Sequence, residues 1–254
     1  MTLCEVRLDA SAGPVRALLG GEGEIALVAL HGGGGLHHDP SFELLAGEFG
    51  LLAPELPGFA ETQAPPPSSF ADSAAAVAEI LDTAGIERCT LMGISFGAVV
   101  ALHMALAQPD RFDALVLLSP ATFRPPDWQP PLDIARALFA SAGGERPAPS
   151  PPELAARRHV LVDRLLTELD EDALRATLPA LEIATLVVCG TEDGLFGPDQ
   201  GRVYRELMPN CSFVLLYDAA HELGWDRPEA LAELVGDFVR RREAFVVGVG
   251  GEAA

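Results

Sequence analysis

Four stretches of the chain are apolar almost without interruption: Ile25 to Leu30, Cys89 to Met92, Ala114 to Leu118 and Ile183 to Cys189. A strand covered on both faces has this signature, because neither side of its pleat meets water. A weaker run spans Ser212 to Tyr217. At the start of the chain the pattern differs. Val6 and Leu8 alternate with Glu5, Arg7 and Asp9, the period of a half-exposed strand, and Val15 to Leu19 follows Gly13-Pro14 as its partner in a hairpin or meander. Between the runs lie helical patterns. Ser69 with Asp72 forms a capping box for a helix through about Ala84, ended by Gly85. Phe96 to Gln108 predicts a second helix, stopped by Pro109. Pro228 to Arg241 predicts a third, with Arg240, Arg241 and Arg242 at the negative end of its dipole. Strand and helix in alternation predict an α/β fold with a mostly parallel sheet covered on both faces.

One segment breaks this rhythm. Residues 120–152 hold nine prolines and Gly143-Gly144, and a helical stretch then runs from about Glu153 to Leu178. Leu154, Val160, Leu161, Leu165, Leu166 and Leu169 recur there at helical spacing, which argues against a loose linker. The expected organisation is a core of 1–119 and 182–242, an insertion at 120–181 and a short Gly-rich tail at 243–254. A length of 254 residues suits one such domain.

Charge and cysteine usage narrow the classes. With 17 basic against 37 acidic residues the net charge is −20, a field that repels phosphate backbones, so no nucleic-acid partner is expected. Cys4, Cys89, Cys189 and Cys211 show no paired spacing, which leaves zinc and disulfide frameworks without support and fits a reducing compartment. No apolar run approaches the ~18 residues of a membrane span. The expectation is a soluble, cytoplasmic protein with no membrane partner; the sequence is silent on oligomeric state.

The chemistry gathers around Gly93-Ile94-Ser95-Phe96-Gly97, a G-x-S-x-G directly after a buried strand and at the mouth of a helix. Such a turn strains its central residue, the flanking glycines relieve the crowding, and the helix N-terminus favours negative charge. A serine needs a general base. His221 is the best of six histidines, standing just beyond a late strand and before the last long helix. A carboxylate must orient that base. Asp193, directly after the run Ile183 to Cys189, fits, although a turn Asp or its neighbour Glu192 reads similarly. The order Ser95, Asp193, His221 is the one expected of a Ser…Asp…His triad. For the oxyanion, His31-Gly32-Gly33-Gly34-Gly35 lets backbone approach closely. Phe96 N–H and Gly33 N–H are the expected donors, with Gly34 as the alternative. G-x-G-x-x-G would need glycine at His37, so a dinucleotide loop fails. His37-His38-Asp39 looks metal-like but has no further ligands nearby. No metal or cofactor is expected. His103 and His159 fall on helical stretches and read as structural.

Taken together, Leu30-His31-Gly32, Glu55-Leu56-Pro57-Gly58-Phe59, Gly93 to Gly97, Gly190 to Asp193 and His221 with Asp226-Arg227-Pro228-Glu229 make the chain resemble a lid-bearing α/β-hydrolase of the serine type over nearly its full length. The resemblance implies an eight-stranded, mostly parallel sheet flanked by helices, with 120–181 as a helical lid. It also brings departures. Glu55 stands where the family usually has Asp, and Ser119-Pro120 where some members carry the acid, which leaves Asp193 in that role. Ser95 argues against the epoxide- and halide-opening members, whose nucleophile is Asp. The implied activity is hydrolysis of an ester or thioester of a small, mostly apolar substrate through an acyl-enzyme. The alternatives are C–C bond hydrolysis or another lid-type reaction by the same triad, or a ligand-binding member without chemistry. Phe123, Trp128, Leu132, Leu138 and Phe139 are the candidate wall of the substrate pocket.

Overall fold

The computed structural model describes residues 3–245 except 12, 60–65, 125–127, 130 and 141–145. Eight strands form one sheet in the order β1-β2-β4-β3-β5-β6-β7-β8: β1 (Cys4–Leu8), β2 (Val15–Gly20), β3 (Ile25–Leu30), β4 (Gly50–Pro54), β5 (Cys89–Ile94), β6 (Phe112–Leu118), β7 (Thr185–Gly190) and β8 (Cys211–Leu216). The first two strands pair antiparallel, β2 joins β4 antiparallel, and every pairing from β4 onward is parallel. The exposed-period reading of Val6 and Leu8 thus lands on the edge hairpin, and the four apolar runs land on four adjacent inner strands.

Successive residues of those strands feed opposite cores. Val28, Leu30, Leu91, Leu115, Leu117 and Val187 face one side with α2 (Phe70–Thr83) and α3 (Phe96–Ala107). Leu27, Ala29, Met92, Val116, Leu118 and Val188 face the other with α1 (Pro40–Ala46) and α9 (Pro228–Arg241). α3 is apolar nearly all round because it lies under other elements, as a fully covered helix must. Ser69 Oγ accepts the Asp72 N–H at 3.0 Å, which starts α2 where the capping pattern placed it.

Residues 120–181 carry α4 (Ile134–Leu138), α5 (Pro152–Thr167) and α6 (Glu171–Thr177) in place of the single helical stretch expected from Glu153 to Leu178. The break has a local cause: Asp170 caps a new helix by accepting the Ala173 N–H at 2.9 Å. Leu161, Leu165, Leu174 and Leu178 bury against the α2/α3 side of the core, so the segment is docked on the body. β7 begins at Thr185, two residues later than the apolar run. Strand β4, α7 (Gln200–Leu207) and the short α8 (Leu223–Asp226) carried no sequence signal that marked them. Of the tail, Phe245 packs edge-on against Phe238; 246–254 lie outside the described residues.

Candidate active site

Ser95 stands between β5 and α3 with φ 51° and ψ −113°, a conformation L-residues rarely adopt. The turn is held on both sides. Ser95 N–H donates to Leu118 O at 2.8 Å, and Ser95 C=O accepts the Ala98 N–H at 3.0 Å. Its glycines are there for space. A Cβ on Gly93 would lie 2.4 Å from Gly97 O, and one on Gly97 would lie 2.4 Å from His31 O. The chain therefore turns sharply enough to expose Ser95 only where two side chains are absent. The serine is 7% exposed, at the mouth of a helix whose first amides have no intrahelical acceptor.

Opposite it runs the loop after β3. Gly35 N–H closes a turn onto Gly32 O at 3.1 Å, and a Cβ on Gly32 would touch the Ser95 Cβ at 3.5 Å. His31 anchors this loop. Its Nε2 accepts the Leu56 N–H at 2.9 Å and its Nδ1–H donates to Gly32 O at 2.8 Å, while burial pulls its pKa down to about 3, so the ring is neutral and structural. A second anchor arrives from α5. Arg158, 6% exposed, donates to Gly34 O at 2.7 Å and to Phe59 O at 2.8 Å and pairs with Glu55 at 3.5 Å; a Cβ on Gly35 would strike its guanidinium. Glu55 in turn pairs with Arg16 at 3.0 Å.

Asp193 follows β7 and His221 follows β8. Asp193 Oδ1 accepts the N–H groups of Leu195 (2.9 Å) and Phe196 (3.0 Å), and Oδ2 meets His221 Nδ1 at 2.9 Å. With Nδ1–H engaged, His221 Nε2 is left buried and unpartnered among the described residues. Burial works against charge on both partners. On His221 the Asp193 charge and hydrogen bond outweigh it and raise the pKa above the usual histidine value. On Asp193 the His221 charge, that hydrogen bond and the two amides outweigh it and hold the carboxylate low. The two loops interlock so closely that a Cβ on Gly190 would lie 2.2 Å from the carbonyl oxygens of Ala219 and Ala220.

Ser95, Phe96, Gly33, Gly34 and His221 line one cavity of about 450 Å³, so the five residues singled out for nucleophile, base and oxyanion donors come together. The expected pocket residues scatter. Trp128 and Leu138 are in this wall. Phe123 is not: at 5% exposure it packs in the core, its ring 5.1 Å from that of Tyr204 and 4.7 Å from the Arg175 guanidinium, with its N–H tied to Glu171 Oε1 at 2.7 Å. Leu132 points wholly to solvent, and Phe139 lines a neighbouring cavity instead. His159, read as structural, is exposed on the cavity side of α5. Asp39 of the metal-like triplet caps α1 by accepting the Ser41 N–H at 2.8 Å.

Two further residues at the site were given no role from the sequence, Asp226 among them although it stands in the Asp226-Arg227-Pro228-Glu229 stretch. Asp226 accepts the Ala220 N–H at 2.8 Å and so steadies the residue before His221, and it holds the Ala140 N–H at 3.0 Å as well. Glu222 is half-buried beside His221, and burial, with neighbouring Asp39, Asp226 and Asp193, pushes its pKa up to about 7.

A parallel sheet wrapped by helices, with a strained serine at the end of an inner strand and a His–Asp pair on the loops beyond, defines a hydrolase of the α/β class. The comparisons agree. A model of the alpha/beta hydrolase fold matches residues 25–158, and the chain belongs to that family. It is 32% identical to lipase LipV of Mycobacterium tuberculosis over 56% of this chain, a match spanning about half (51%) of that lipase. It is 27% identical to 2-hydroxy-6-oxononadienedioate/2-hydroxy-6-oxononatrienedioate hydrolase 2 of Pseudomonas putida, covering 87% of this chain and 89% of the relative. The solved 2-hydroxy-6-oxo-6-phenylhexa-2,4-dienoate hydrolase of a Rhodococcus superposes with a TM-score of 0.75 at 21% identity, over 94% of this chain and 100% of the other, a likeness of fold.

Proposed function

We propose that the protein is a serine hydrolase that cleaves an ester or thioester of a small, mostly apolar acid. Ser95 Oγ attacks the carbonyl carbon while His221 Nε2 takes its proton, and the N–H groups of Gly33 and Phe96 receive the oxyanion. Collapse expels the alcohol or thiol, which takes that proton from His221. Water then attacks the acyl-enzyme with His221 again as base, and the acid leaves. Asp193 holds the imidazole in the tautomer that leaves Nε2 free. The segment 120–181 acts as the lid, since α5 reaches across the Ser95 cavity to the glycine loop. The four cysteines, all free, fit a reducing, cytoplasmic setting.

One observation carries the reading: a buried His221 bonded to Asp193 at 2.9 Å, with its other nitrogen unpartnered in the wall that holds Ser95. Labelling with a fluorophosphonate probe and mapping the modified residue tests it. Label on Ser95, and loss of about 10³-fold or more in kcat in Ser95→Ala with unchanged unfolding, are expected. Label elsewhere in folded protein overturns it. C–C bond hydrolysis is the second reading, favoured by the Pseudomonas putida relative that covers 87% of the chain. Product analysis on a vinylogous β-diketone acid separates the two.

A further inference from the structure

Two arginines face the Ser95 cavity, and they are held in opposite ways. Arg158 is spoken for by Glu55, by two carbonyls and by Ser150 Oγ at 2.9 Å. Arg124 instead lies over two rings: its guanidinium carbon is 4.6 Å from the Trp128 ring centre and 5.1 Å from that of Phe196. Among the described residues it makes no ion pair and no hydrogen bond. That is unexpected in a chain with 37 acidic residues, where all 17 basic residues are arginine. Two carboxylates line the same cavity, Asp163 on the exposed side of α5 and Glu222 beside the triad, and neither pairs with Arg124.

The rings under Arg124 are fixed. Trp128 Nε1–H donates to Leu195 O at 2.6 Å, and the two rings lie within 16° of parallel. Phe196 has its N–H on Asp193 Oδ1 and its ring 5.4 Å from His221. The guanidinium is thus held in register with the triad by the loop that carries the triad's acid. Aromatic faces attract a cation through its flat side and leave the in-plane N–H fork for an acceptor. A fork of that shape matches a carboxylate, bidentate and charge-assisted.

We infer that Arg124 selects substrates bearing a carboxylate remote from the scissile carbonyl: hemiesters or hemithioesters of dicarboxylic acids. This rests on the reading of Ser95 as nucleophile, and it adds a charged end to the mostly apolar acyl chain. The test compares nitrophenyl hemiesters, from succinate to suberate, with neutral nitrophenyl esters of equal chain length. At one length or more the hemiester should lead in kcat/KM by about 10- to 100-fold at low salt, mostly through KM. Added salt should shrink the lead. Arg124→Gln should bring the ratio close to one, and Arg124→Lys, which keeps the charge without the fork, should retain part of it. A ratio of one or less at every length, or a ratio that survives Arg124→Gln, overturns the inference. Calorimetry on Ser95→Ala decides the point without turnover. Monomethyl adipate should bind more tightly than dimethyl adipate, and Arg124→Gln in that background should erase the difference; equal binding overturns the inference. Failure of the wild type to cleave any ester, with that calorimetric difference intact, overturns the ester reading and leaves Arg124 standing.

Discussion

Glu55 sits between two guanidiniums, and replacing it should cost more than replacing either. Its Oε1 is 3.5 Å from Arg158 and its Oε2 3.0 Å from Arg16, with the Glu55 and Arg158 side chains only 3% and 7% exposed. Glu55→Leu leaves Arg158 buried with no carboxylate. Stranding one member of a buried pair costs about 3–5 kcal/mol. Arg16 adds little to that, because it is 28% exposed and keeps Glu5 at 3.0 Å, where water screens it. Arg158→Ala is the milder change. Glu55 keeps Arg16, and Gly34 O keeps His37 Nε2 at 3.2 Å, so the main loss is the bonds to Phe59 O and Ser150. At about 1 kcal/mol net per bond, with truncation of a buried side chain added, this comes to about 2–3 kcal/mol. The double variant should lose less than the sum, since the two share one interaction. Urea unfolding at constant m-value measures all three. Function should follow geometry: with Arg158 gone, Gly34 O is left with His37 alone, so the glycine loop that would carry the oxyanion donor loosens, and kcat of Arg158→Ala should fall about 10-fold with KM nearly unchanged, less than deletion of a donor outright. If Glu55→Leu proves cheaper than Arg158→Ala, or both cost under about 1 kcal/mol with kcat intact, the charge network does not hold the glycine loop.

Three further outcomes are expected. Because the Asp193 charge, helped by Glu222, overrides burial and raises the His221 pKa, the acid limb of kcat/KM should centre above the usual ~6.5, and Glu222→Gln should move it down; a limb centred lower in the wild type contradicts the pairing. His221, with a raised pKa, stabilises the fold fully below ~6.5 and ceases to as pH climbs past its folded value, whereas Asp193, with a lowered one, stabilises fully above ~3.9 and ceases to as pH falls through its own. Asp193→Asn should therefore lower the urea midpoint most in mildly acid solution and reduce kcat by about 10⁴-fold; a midpoint loss that is flat from about pH 5 to pH 9 would sink this account. Gly97→Ala would drive a Cβ to within 2.4 Å of His31 O, so it should unfold at lower urea and lose activity together, and a variant with wild-type midpoint and kcat would show the turn is looser than drawn.

What could be read from residues alone divides along a physical line. β3, β5, β6 and β7 were legible because a strand covered on both faces must be apolar at every position. β4 was not, because Leu51-Leu52-Ala53 between Gly50 and Pro54 is too short a run to stand out, and it is a strand only by lying between β2 and β3. The same division runs through the site. The strained turn at Ser95 was legible because it demands glycine two positions to either side, a local requirement that leaves a local mark. The placement of Asp193 and His221 on the loops after β7 and β8 was legible from the strands before them. Arg158 was not, since it acts on a backbone group far away in sequence, Gly34 at a separation of 124 residues; and the Asp226 stretch, though recognised, gave no sign of its hold on Ala140, 86 residues away. Phe123 and Leu132 mark the converse: apolar type names a residue fit for a wall without saying which wall, and one faces the core while the other faces water. An arginine reads the same in sequence whether the fold surrounds it with carbonyls, as at Arg158, or sets it against two rings, as at Arg124. Its function lies in which of its donors the fold leaves unclaimed, and that is decided by tertiary contacts that local pattern does not encode.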